Sequence, residues 1–355
     1  MTSFKANARP VLVGSLPMTD HGAAAGLVME FTPEIPLWVQ LPQFKAEGMI
    51  NQFLPGLPGV TREGDKMFID TGRSDFDQEF LAFFEDYLAL SEPGSELDGT
   101  RFSFTEETGR GFDEFICRVD GSGRTFPALK GQVTGPITFA TGIKDEQGKD
   151  IFYNDQLKDA AVKRLALNAA WQARTFAGRG ATPIIFLDEP ALAGFGTSAY
   201  ITITREDVAA CINEIVELIH REKGLAGVHV CANTEWDMLL ETGIDIINFD
   251  AFSYFDRFIL YPEQIRTFVS RGGILAMGIV PTEKADLINA QTLDSLKTMF
   301  DAQVAQLTEI VGMDRDALLE QVLITPSCGT GSLDLDSAKR VLALTRDLSA
   351  AVRAS

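Results

Sequence analysis

The chain has 355 residues, of which 45% are hydrophobic and 23% charged, and its formal net charge is -19. This is the composition of a globular protein that is long enough to bury a large core. So acidic a chain is not expected to bind nucleic acid, and it has no apolar run long enough to cross a membrane. The N-terminal residues lack the apolar core of a signal peptide, and four cysteines do not form a disulfide framework, so we expect a cytoplasmic protein.

Eight short apolar runs alternate along the chain with longer stretches. Each run is nearly continuous in apolar residues, as strands of a parallel sheet buried on both faces are. The stretches between the later runs have the apolar spacing of helices, and the one that opens with TRED at Thr204 resembles a capping box. The predicted strands cover residues 11–17, 37–42, 128–136, 183–190, 227–233, 245–252, 274–281 and 322–329, and these helices cover 155–180, 204–224, 292–312 and 334–354.

Eight strands that alternate with helices predict an α/β fold, a single (β/α)8 barrel of the TIM type. Residues 43–126 interrupt the alternation between the second and third strands. This segment holds a predicted helix at 74–90 and two alternating stretches at 100–107 and 113–126, which predict a hairpin that turns at Asp120-Gly121. We therefore expect one domain over residues 1–355, with residues 43–126 as an insertion over the barrel mouth.

Polar side chains follow most of the predicted strands. The carboxyl ends of barrel strands meet at one mouth, where such folds carry their chemistry. Adjacent strand residues face opposite sides, so we expect Asp188 to point into the mouth and Glu189 to pack outwards or bond to a loop. The alternative is that both are solvated acids of a turn. The candidate substrate-binding residues at this mouth are Ser15, Gln40, Thr134, Asp188 and Glu189.

His229 and Cys231 are two residues apart, a spacing that places both side chains on one face of a strand. Cys328 follows the last predicted strand and should reach the same mouth. One imidazole and two thiols form a soft ligand set that favours Zn²⁺, and three protein ligands with an open position are typical of catalytic zinc. The alternative is that these cysteines are small buried hydrophobic residues. We interpret Cys117, in the predicted hairpin, and Cys211, in a predicted amphipathic helix, as structural.

Six motifs occur in a fixed order between Val11 and Gly329: VGSLP, KGQVTGPIT, FLDEPAL, HVC, DIINFD and ITPSCG. Together they resemble the catalytic C-terminal half of cobalamin-independent methionine synthase, in the superfamily that also includes uroporphyrinogen decarboxylase. The most specific pieces are DEPAL and the HxC that is followed by a late PxCG. The resemblance implies a zinc enzyme that methylates a zinc-bound thiolate, with homocysteine as the thiol.

By motif match, the resemblance implies that His229, Cys231 and Cys328 bind zinc and that Ser15 and Asp188 hold the substrate. The family's remaining ligand is a glutamate at the end of the next strand, where this sequence has Asp250, whose shorter side chain reaches less far. A further substrate-holding glutamate of the family belongs within residues 43–126, and no residue is assigned to it. The expected catalytic residues are Asp188, His229 and Cys231, and the expected metal ligands are His229, Cys231, Asp250 and Cys328.

The resemblance covers one barrel, whereas the full methionine synthase has two halves. Short forms that resemble the catalytic half alone are expected to take the methyl group from a corrinoid protein instead of a folate. We therefore expect a zinc-dependent methyltransferase with a small-molecule thiol as acceptor and a methyl-corrinoid protein or methyl-folate as donor. The alternatives are a non-catalytic small-molecule-binding barrel and a lyase like uroporphyrinogen decarboxylase, which needs arginines that VGSLP and LPQF do not offer.

Overall fold

The computed structural model describes residues 4–64, 66–92, 94–197 and 200–355. The strands of these residues form two sheets. The strands are β1 (Val60–Glu63), β2 (Lys66–Ile69), β3 (Ala128–Thr134), β4 (Thr182–Asp188), β5 (Leu225–Val230), β6 (Ile246–Phe249), β7 (Ile274–Val280) and β8 (Val322–Pro326). The large sheet has six parallel strands in the order β3-β4-β5-β6-β7-β8, and β1 pairs with β2 in an antiparallel hairpin.

Helices follow the strands of the large sheet, as the sequence predicts. The helices that match predicted ones are α2, α5, α6, α11 and α13, and Thr204 and Asp207 form the predicted capping box of α6. None of the helices in the described ranges combines the length and the apolar character that a membrane span requires. The helices are α1 (His21–Phe31), α2 (Phe76–Leu90), α3 (Arg110–Gly121), α4 (Pro136–Gly142), α5 (Asp155–Ala177), α6 (Arg205–Arg221), α7 (Trp236–Leu240), α8 (Ala251–Phe258), α9 (Pro262–Ser270), α10 (Ala285–Asn289), α11 (Leu293–Val311), α12 (Arg315–Leu319) and α13 (Leu335–Arg353).

The first two predicted strands are not regular strands of the sheet. Their segments, 11–17 and 37–42, join the two edge strands β8 and β3 through isolated parallel bridges. The amide of Ser15 donates to the carbonyl of Val13 over 2.9 Å, so the backbone turns there and the ladder stops. Six of the eight predicted strands are thus confirmed, and the fold is a curled parallel α/β sheet. The bridges are Pro10 with Ile324, Ser15 with Gln40 and Leu37 with Lys130.

Burial on both faces of the sheet explains the continuous apolar runs. In β4, Ile184 and Phe186 belong to a hydrophobic cluster on the concave face of the sheet, together with Leu225 and Ile246 of neighbouring strands. Residues 185 and 187 alternate with them and pack in the larger cluster that contains the helices. Side chains at the carboxyl end of the concave face lie above the first cluster, which is where the predicted site residues occur.

The predicted hairpin within residues 100–126 is wrong. Residues 110–121 form α3, whose buried side chains Phe112, Phe115 and Val119 recur at helical spacing. The stretch 113–126 resembled a strand, but its apolar residues Phe115 and Val119 continue a helical stripe that starts at Phe112. The stretch 100–107 lies in turns and irregular structure and forms no strand. A hairpin does occur in the insertion, at β1 and β2, where no strand was predicted.

A buried arginine connects the insertion to α5, the long helix between β3 and β4. Arg164 of α5 donates to the carbonyl oxygens of Pro55 at 2.8 Å, Phe102 at 2.9 Å and Ser103 at 3.4 Å. Burial lowers the pKa of this guanidinium to about 9. Parts of residues 43–126 therefore pack against the outer helices, while residues 47–49 reach the carboxyl ends of the strands. That the chain is one domain over residues 1–355 stays a prediction.

Candidate active site and metal centre

A cavity of about 430 Å³ lies at the carboxyl ends of the strands. Six of the predicted site residues line it: Ser15, Gln40, Asp188, His229, Cys231 and Cys328. Thr134, Glu189 and Asp250 are not among the lining residues. The remaining wall is mostly apolar or glycine, and it comprises Val13, Gly14, Pro42, Glu47, Gly48, Met49, Pro190, Gly329, Gly331 and Ser332.

His229, Cys231 and Cys328 come together at one side of the cavity. Their ligand atoms, one ring nitrogen and two sulfurs, all lie within 4.8 Å of one another. His229 and Cys231 stand at the end of β5, and Cys328 follows β8, so the curled sheet brings residues almost a hundred positions apart into one group. This is the soft donor set that zinc prefers.

His229 is buried and held through one of its two ring nitrogens. Nδ1 lies 2.7 Å from Oδ1 of Asn248, whereas Nε2 is buried and has no hydrogen-bond partner among the described residues. Burial lowers the pKa of the imidazole to about 4, so the ring is neutral at physiological pH. A neutral ring with an unpartnered nitrogen beside two thiols is suited to bind a metal ion.

The two thiols influence each other directly. A hydrogen bond from Cys328 lowers the pKa of Cys231 to about 7, and burial opposes this effect. The same hydrogen bond, together with burial, raises the pKa of Cys328 above its ordinary value. Cys231 is therefore the more acidic of the two thiols.

Asp188 ends β4 and lies directly opposite His229 in the parallel register of β4 and β5. Its Oδ1 atom is buried without a hydrogen-bond partner in the part of the chain that the structure describes. Burial raises the pKa of this carboxyl to about 6, and the charge of Lys130 opposes that shift. An unpartnered acceptor of this kind can receive a hydrogen bond from an ammonium or hydroxyl group of a ligand.

Glu189, the next residue, has both carboxylate oxygens hydrogen-bonded to other parts of the protein. Its carboxylate accepts hydrogen bonds from the amides of Ile137 at 2.8 Å and Thr138 at 2.9 Å and from the Thr138 hydroxyl at 2.7 Å. These groups lie at the start of α4, where a carboxylate is favoured by the helix dipole. Burial raises the pKa of Glu189 to about 7. The adjacent carboxylates thus face different environments, and only that of Asp188 lines the cavity.

Thr134 and Asp250 also bond to the protein itself. The Thr134 hydroxyl donates to the carbonyl of Met49 over 2.6 Å, which ties the end of β3 to the insertion. The Asp250 carboxylate accepts from the amide of Ser253 over 2.9 Å and is the N-cap of α8. The structure therefore does not bring Asp250 into the group formed by the other three predicted ligands.

Two charged residues of the site were not singled out from the sequence. Lys130 is completely buried in β3, with Nζ 4.3 Å from the centroid of the Phe186 ring. Burial lowers its pKa to about 8, against the charge of Asp188. The signal in the sequence was a lysine inside the apolar run ALKGQVT, since a lysine is almost never fully buried without a reason.

The other is Glu47, the one carboxylate of residues 43–126 among those that line the cavity. It is buried; Oε2 accepts from the amide of Leu41 at 2.9 Å and Oε1 lies 2.5 Å from Nε2 of His21. Gln40 lies nearby and uses its amide nitrogen to bond Gln52 over 2.6 Å, so its carbonyl oxygen is left for other contacts. No lysine or arginine lines the cavity among the described residues.

Comparison with known proteins was made by sequence and by structure. No protein-family model matches the sequence, and no curated protein matches it either. A B12-independent methionine synthase from Shewanella sp. W3-18-1, in complex with selenomethionine, is similar in structure, with a TM-score of 0.55, 15% identity and coverage of 97% of this chain and 98% of that chain.

Two further structures are similar over nearly the whole length. A protein assigned as a vitamin-B12 independent methionine synthase from Listeria monocytogenes has a TM-score of 0.59 and 14% identity, with 98% of each chain covered. A methyltransferase from Methanosarcina mazei has a TM-score of 0.50 and 12% identity, with 95% of this chain and 93% of that chain covered. The resemblance stated from the motifs is confirmed as a resemblance of fold.

Proposed function

We propose that this protein is a zinc-dependent methyltransferase that moves a methyl group to the sulfur of a small-molecule thiol. The observation that carries the proposal is the group of His229, Cys231 and Cys328, whose ligand atoms lie within 4.8 Å of one another on the wall of a cavity. The likeness of the fold to structures named methionine synthase and methyltransferase supports the same reaction class.

The residues present fit a zinc ion. The buried Nε2 of His229 has no partner among the described residues, and the neutral ring offers its lone pair there. Cys231 and Cys328 supply two sulfurs, and Asp250 is engaged as a helix cap, so three protein ligands would leave one position open. When bound, zinc supplies Lewis-acid chemistry that keeps a thiol in its nucleophilic thiolate form at neutral pH.

The chain's own residues would bind and orient the acceptor. Asp188 offers an unpartnered carboxylate oxygen, and Glu47 offers a second buried carboxylate on the same cavity. We propose that these two groups take the ammonium of an amino thiol, for which homocysteine is the first compound to test, and that Glu47 is the substrate-holding glutamate of the insertion. Ser15 and Gln40 would complete the polar contacts from the first two segments.

The apolar remainder of the wall would exclude water around the reacting sulfur. Met49, Pro42 and Pro190 supply much of it, and residues 47–49 belong to the insertion. The methyl donor is proposed to be a methyl-corrinoid protein or a methyl-folate that enters from the open side of the cavity. Cytoplasmic location remains part of this proposal.

The lack of any lysine or arginine on the described cavity wall argues against the decarboxylase alternative, because a porphyrin substrate presents several carboxylates. The other alternative, a non-catalytic barrel that binds a small molecule, would use the same zinc site as the methyltransferase. The methyltransferase and the non-catalytic barrel differ only in whether a methyl group is transferred, so binding measurements alone do not distinguish them.

Metal content is the direct test. Elemental analysis of reduced, freshly purified protein should give about one zinc per chain. Cys231→Ser and Cys328→Ser should each lose it, whereas the matched variants Cys117→Ser and Cys211→Ser, at an exposed position of α3 and a buried position of α6, should keep it. Zinc in all five proteins, or in none after reconstitution, contradicts the proposed site.

Zinc-loaded protein is then incubated with homocysteine and either a methyl-corrinoid protein or methyl-folate, and methionine is measured. Cys117→Ser serves as the active control and Cys328→Ser as the inactive one. Methionine formation by the wild type and Cys117→Ser, but not by Cys328→Ser, supports the methyltransferase. Zinc binding and thiol binding without transfer from any donor would favour the non-catalytic barrel.

A further inference from the structure

Asn248 lies at the centre of a hydrogen-bond network beneath the candidate metal group. It is completely buried in β6, opposite His229 in the parallel register of β5 and β6. Its Oδ1 atom is 2.7 Å from Nδ1 of His229, and its Nδ2 atom donates to the carbonyl of Ala276 and to the hydroxyl of Thr325, each over 2.8 Å. Both hydrogen-bonding atoms of the amide are therefore engaged, by residues of β5, β7 and β8.

The chemistry of these partners fixes the position of one proton. The carbonyl of Ala276 can only accept, so the amide nitrogen of Asn248 must face it, and Oδ1 must face His229. Because Oδ1 can only accept, Nδ1 of His229 must carry the hydrogen. A neutral imidazole has a single N–H, so Nε2 is left as an acceptor, and this is the buried atom that has no partner among the described residues. A ring nitrogen of His229 lies within 4.8 Å of both sulfurs, and Nδ1 is already engaged by Asn248.

The network also connects the strands that carry different metal ligands. The side chain of Asn248 reaches past β7, where Ala276 occupies the neighbouring register position and has only a methyl side chain, to Thr325 of β8. The chain continues from Thr325 to Cys328 three residues later. The orientation of the His229 ring is thus tied to the strand that delivers the second sulfur.

We propose that Asn248, supported by Thr325, is the positioning residue of the metal centre: it holds His229 in the Nδ1–H tautomer, so that Nε2 faces Cys231 and Cys328. This inference rests on the proposed function in so far as the metal is zinc. The tautomer itself does not depend on a metal, and it can be measured in the metal-free protein. Removal of a residue that hydrogen-bonds a metal-binding histidine typically weakens metal binding 10- to 100-fold.

The first experiment is NMR of metal-free protein labelled with ¹⁵N in its three histidines. The side-chain ¹⁵N shifts distinguish a protonated from an unprotonated ring nitrogen, and the signals that disappear in His229→Gln identify this residue. We expect the hydrogen on Nδ1 in the wild type and a mixture of tautomers in Asn248→Leu. The matched control is Asn168→Leu, because Asn168 is equally buried and hydrogen-bonds Phe102 and Gln172 away from the cavity.

The second experiment is the zinc dissociation constant of the same proteins, by competition with a chromophoric chelator. Asn248→Leu should weaken zinc binding by about 10- to 100-fold and Asn168→Leu should leave it unchanged. Thr325→Val keeps the shape of the side chain but removes the acceptor, and should weaken binding less than Asn248→Leu. It also serves as the test variant if Asn248→Leu does not fold. The visible spectrum of Co²⁺-loaded protein should change in the first and third variants only.

The hydrogen on Nε2 in the wild type would overturn the inference, with or without zinc binding. Equal zinc affinities of Asn248→Leu and Asn168→Leu would overturn it as well. Failure of the proposed function is recognised separately, because it appears as an absence of zinc binding in the wild type itself.

Discussion

The replacement of Asp188 by asparagine should stabilise the metal-free protein and at the same time weaken binding of the acceptor. The carboxylate is buried, and its Oδ1 atom has no hydrogen-bond partner among the described residues. Burial raises its pKa from the ordinary 3.8 to about 6, although the charge of Lys130 opposes this. The ionised form that the proposed ammonium-bearing acceptor would need is therefore the form that the folded protein disfavours.

The size of the effect follows from the pKa. The rise of the Asp188 pKa from 3.8 to about 6 corresponds to a loss of about 3 kcal/mol in the free energy of unfolding at neutral pH, at about 1.36 kcal/mol per pKa unit. The asparagine variant removes the charge but keeps a buried amide, so we expect it to gain about 1–3 kcal/mol in free energy of unfolding. The folded carboxyl of Asp188 binds its proton more tightly than the unfolded one. The loss of stability caused by its charge is therefore fully present above pH 6 and disappears as the pH falls towards 3.8. The advantage of the variant should shrink as the pH falls through this window.

Urea unfolding of wild type and Asp188→Asn at pH 7 and pH 5, with a chelator present, measures this difference. Asp256→Asn, an exposed carboxylate on α8, is the control and should change stability by less than about 0.5 kcal/mol. In the zinc-loaded protein, loss of a charged hydrogen bond of about 1.5–3 kcal/mol should raise the KM for an amino thiol about 10- to 100-fold. A variant that is less stable than the wild type at pH 7, or whose advantage grows as the pH falls, would refute the reasoning.

Three other changes test the packing and the edges of the site. Gly227→Ala places a methyl group 2.3 Å from the Phe186 ring and should lower the free energy of unfolding by about 1–3 kcal/mol, measured by thermal unfolding. The control Gly26→Ala, inside α1, should raise it by up to about 1 kcal/mol, and equal effects would contradict the packing argument. Asp250→Ala should lose a helix cap worth about 1 kcal/mol and keep its zinc, and zinc loss by elemental analysis would identify the carboxylate as a ligand. Glu47→Gln should raise the KM for an amino thiol at least about tenfold without changing zinc content, and an unchanged KM would remove it from the substrate site.

Much of the strand pattern could be predicted because β3 to β8 are buried on both faces. Each forms a continuous apolar run, and the polar residue at its end marks the mouth. The H-x-C spacing carried most of the metal prediction, since two rare ligand types lie on one face of a strand. Segment 11–17 failed as a regular strand because the amide of Ser15 turns back to Val13, and a local hydrogen bond of this kind leaves no trace in apolar periodicity.

The supporting residues of the site could not be predicted, because their importance depends on partners distant in the chain. Asn248 is the one polar residue between the two aspartates of the run DIINFD, and only the register of β6 with β5 and β7 shows what it bonds. Glu47 is likewise a single charge whose burial comes from the tertiary fold, whereas Lys130 did leave a signal, as a lysine inside an apolar run. The helix α3 was misread because a few alternating residues were taken as a strand, whereas the buried stripe of Phe112, Phe115 and Val119 becomes visible only over two helical turns.

Stability and function oppose each other at two atoms of this site. Within the described residues, Oδ1 of Asp188 and Nε2 of His229 are both buried without a hydrogen-bond partner, and both residues line one cavity. Such atoms cost about 1–3 kcal/mol each when they remain unpaired, so the ligand-free protein is less stable than its packing permits. In the proposed function, a metal ion would pair with the nitrogen and an ammonium group with the oxygen, and each ligand at 100 times its Kd would add about 2.7 kcal/mol to the free energy of unfolding. Because the two atoms take different ligands, zinc and an amino thiol should raise the unfolding temperature in separate steps, the first absent in His229→Gln and the second in Asp188→Asn.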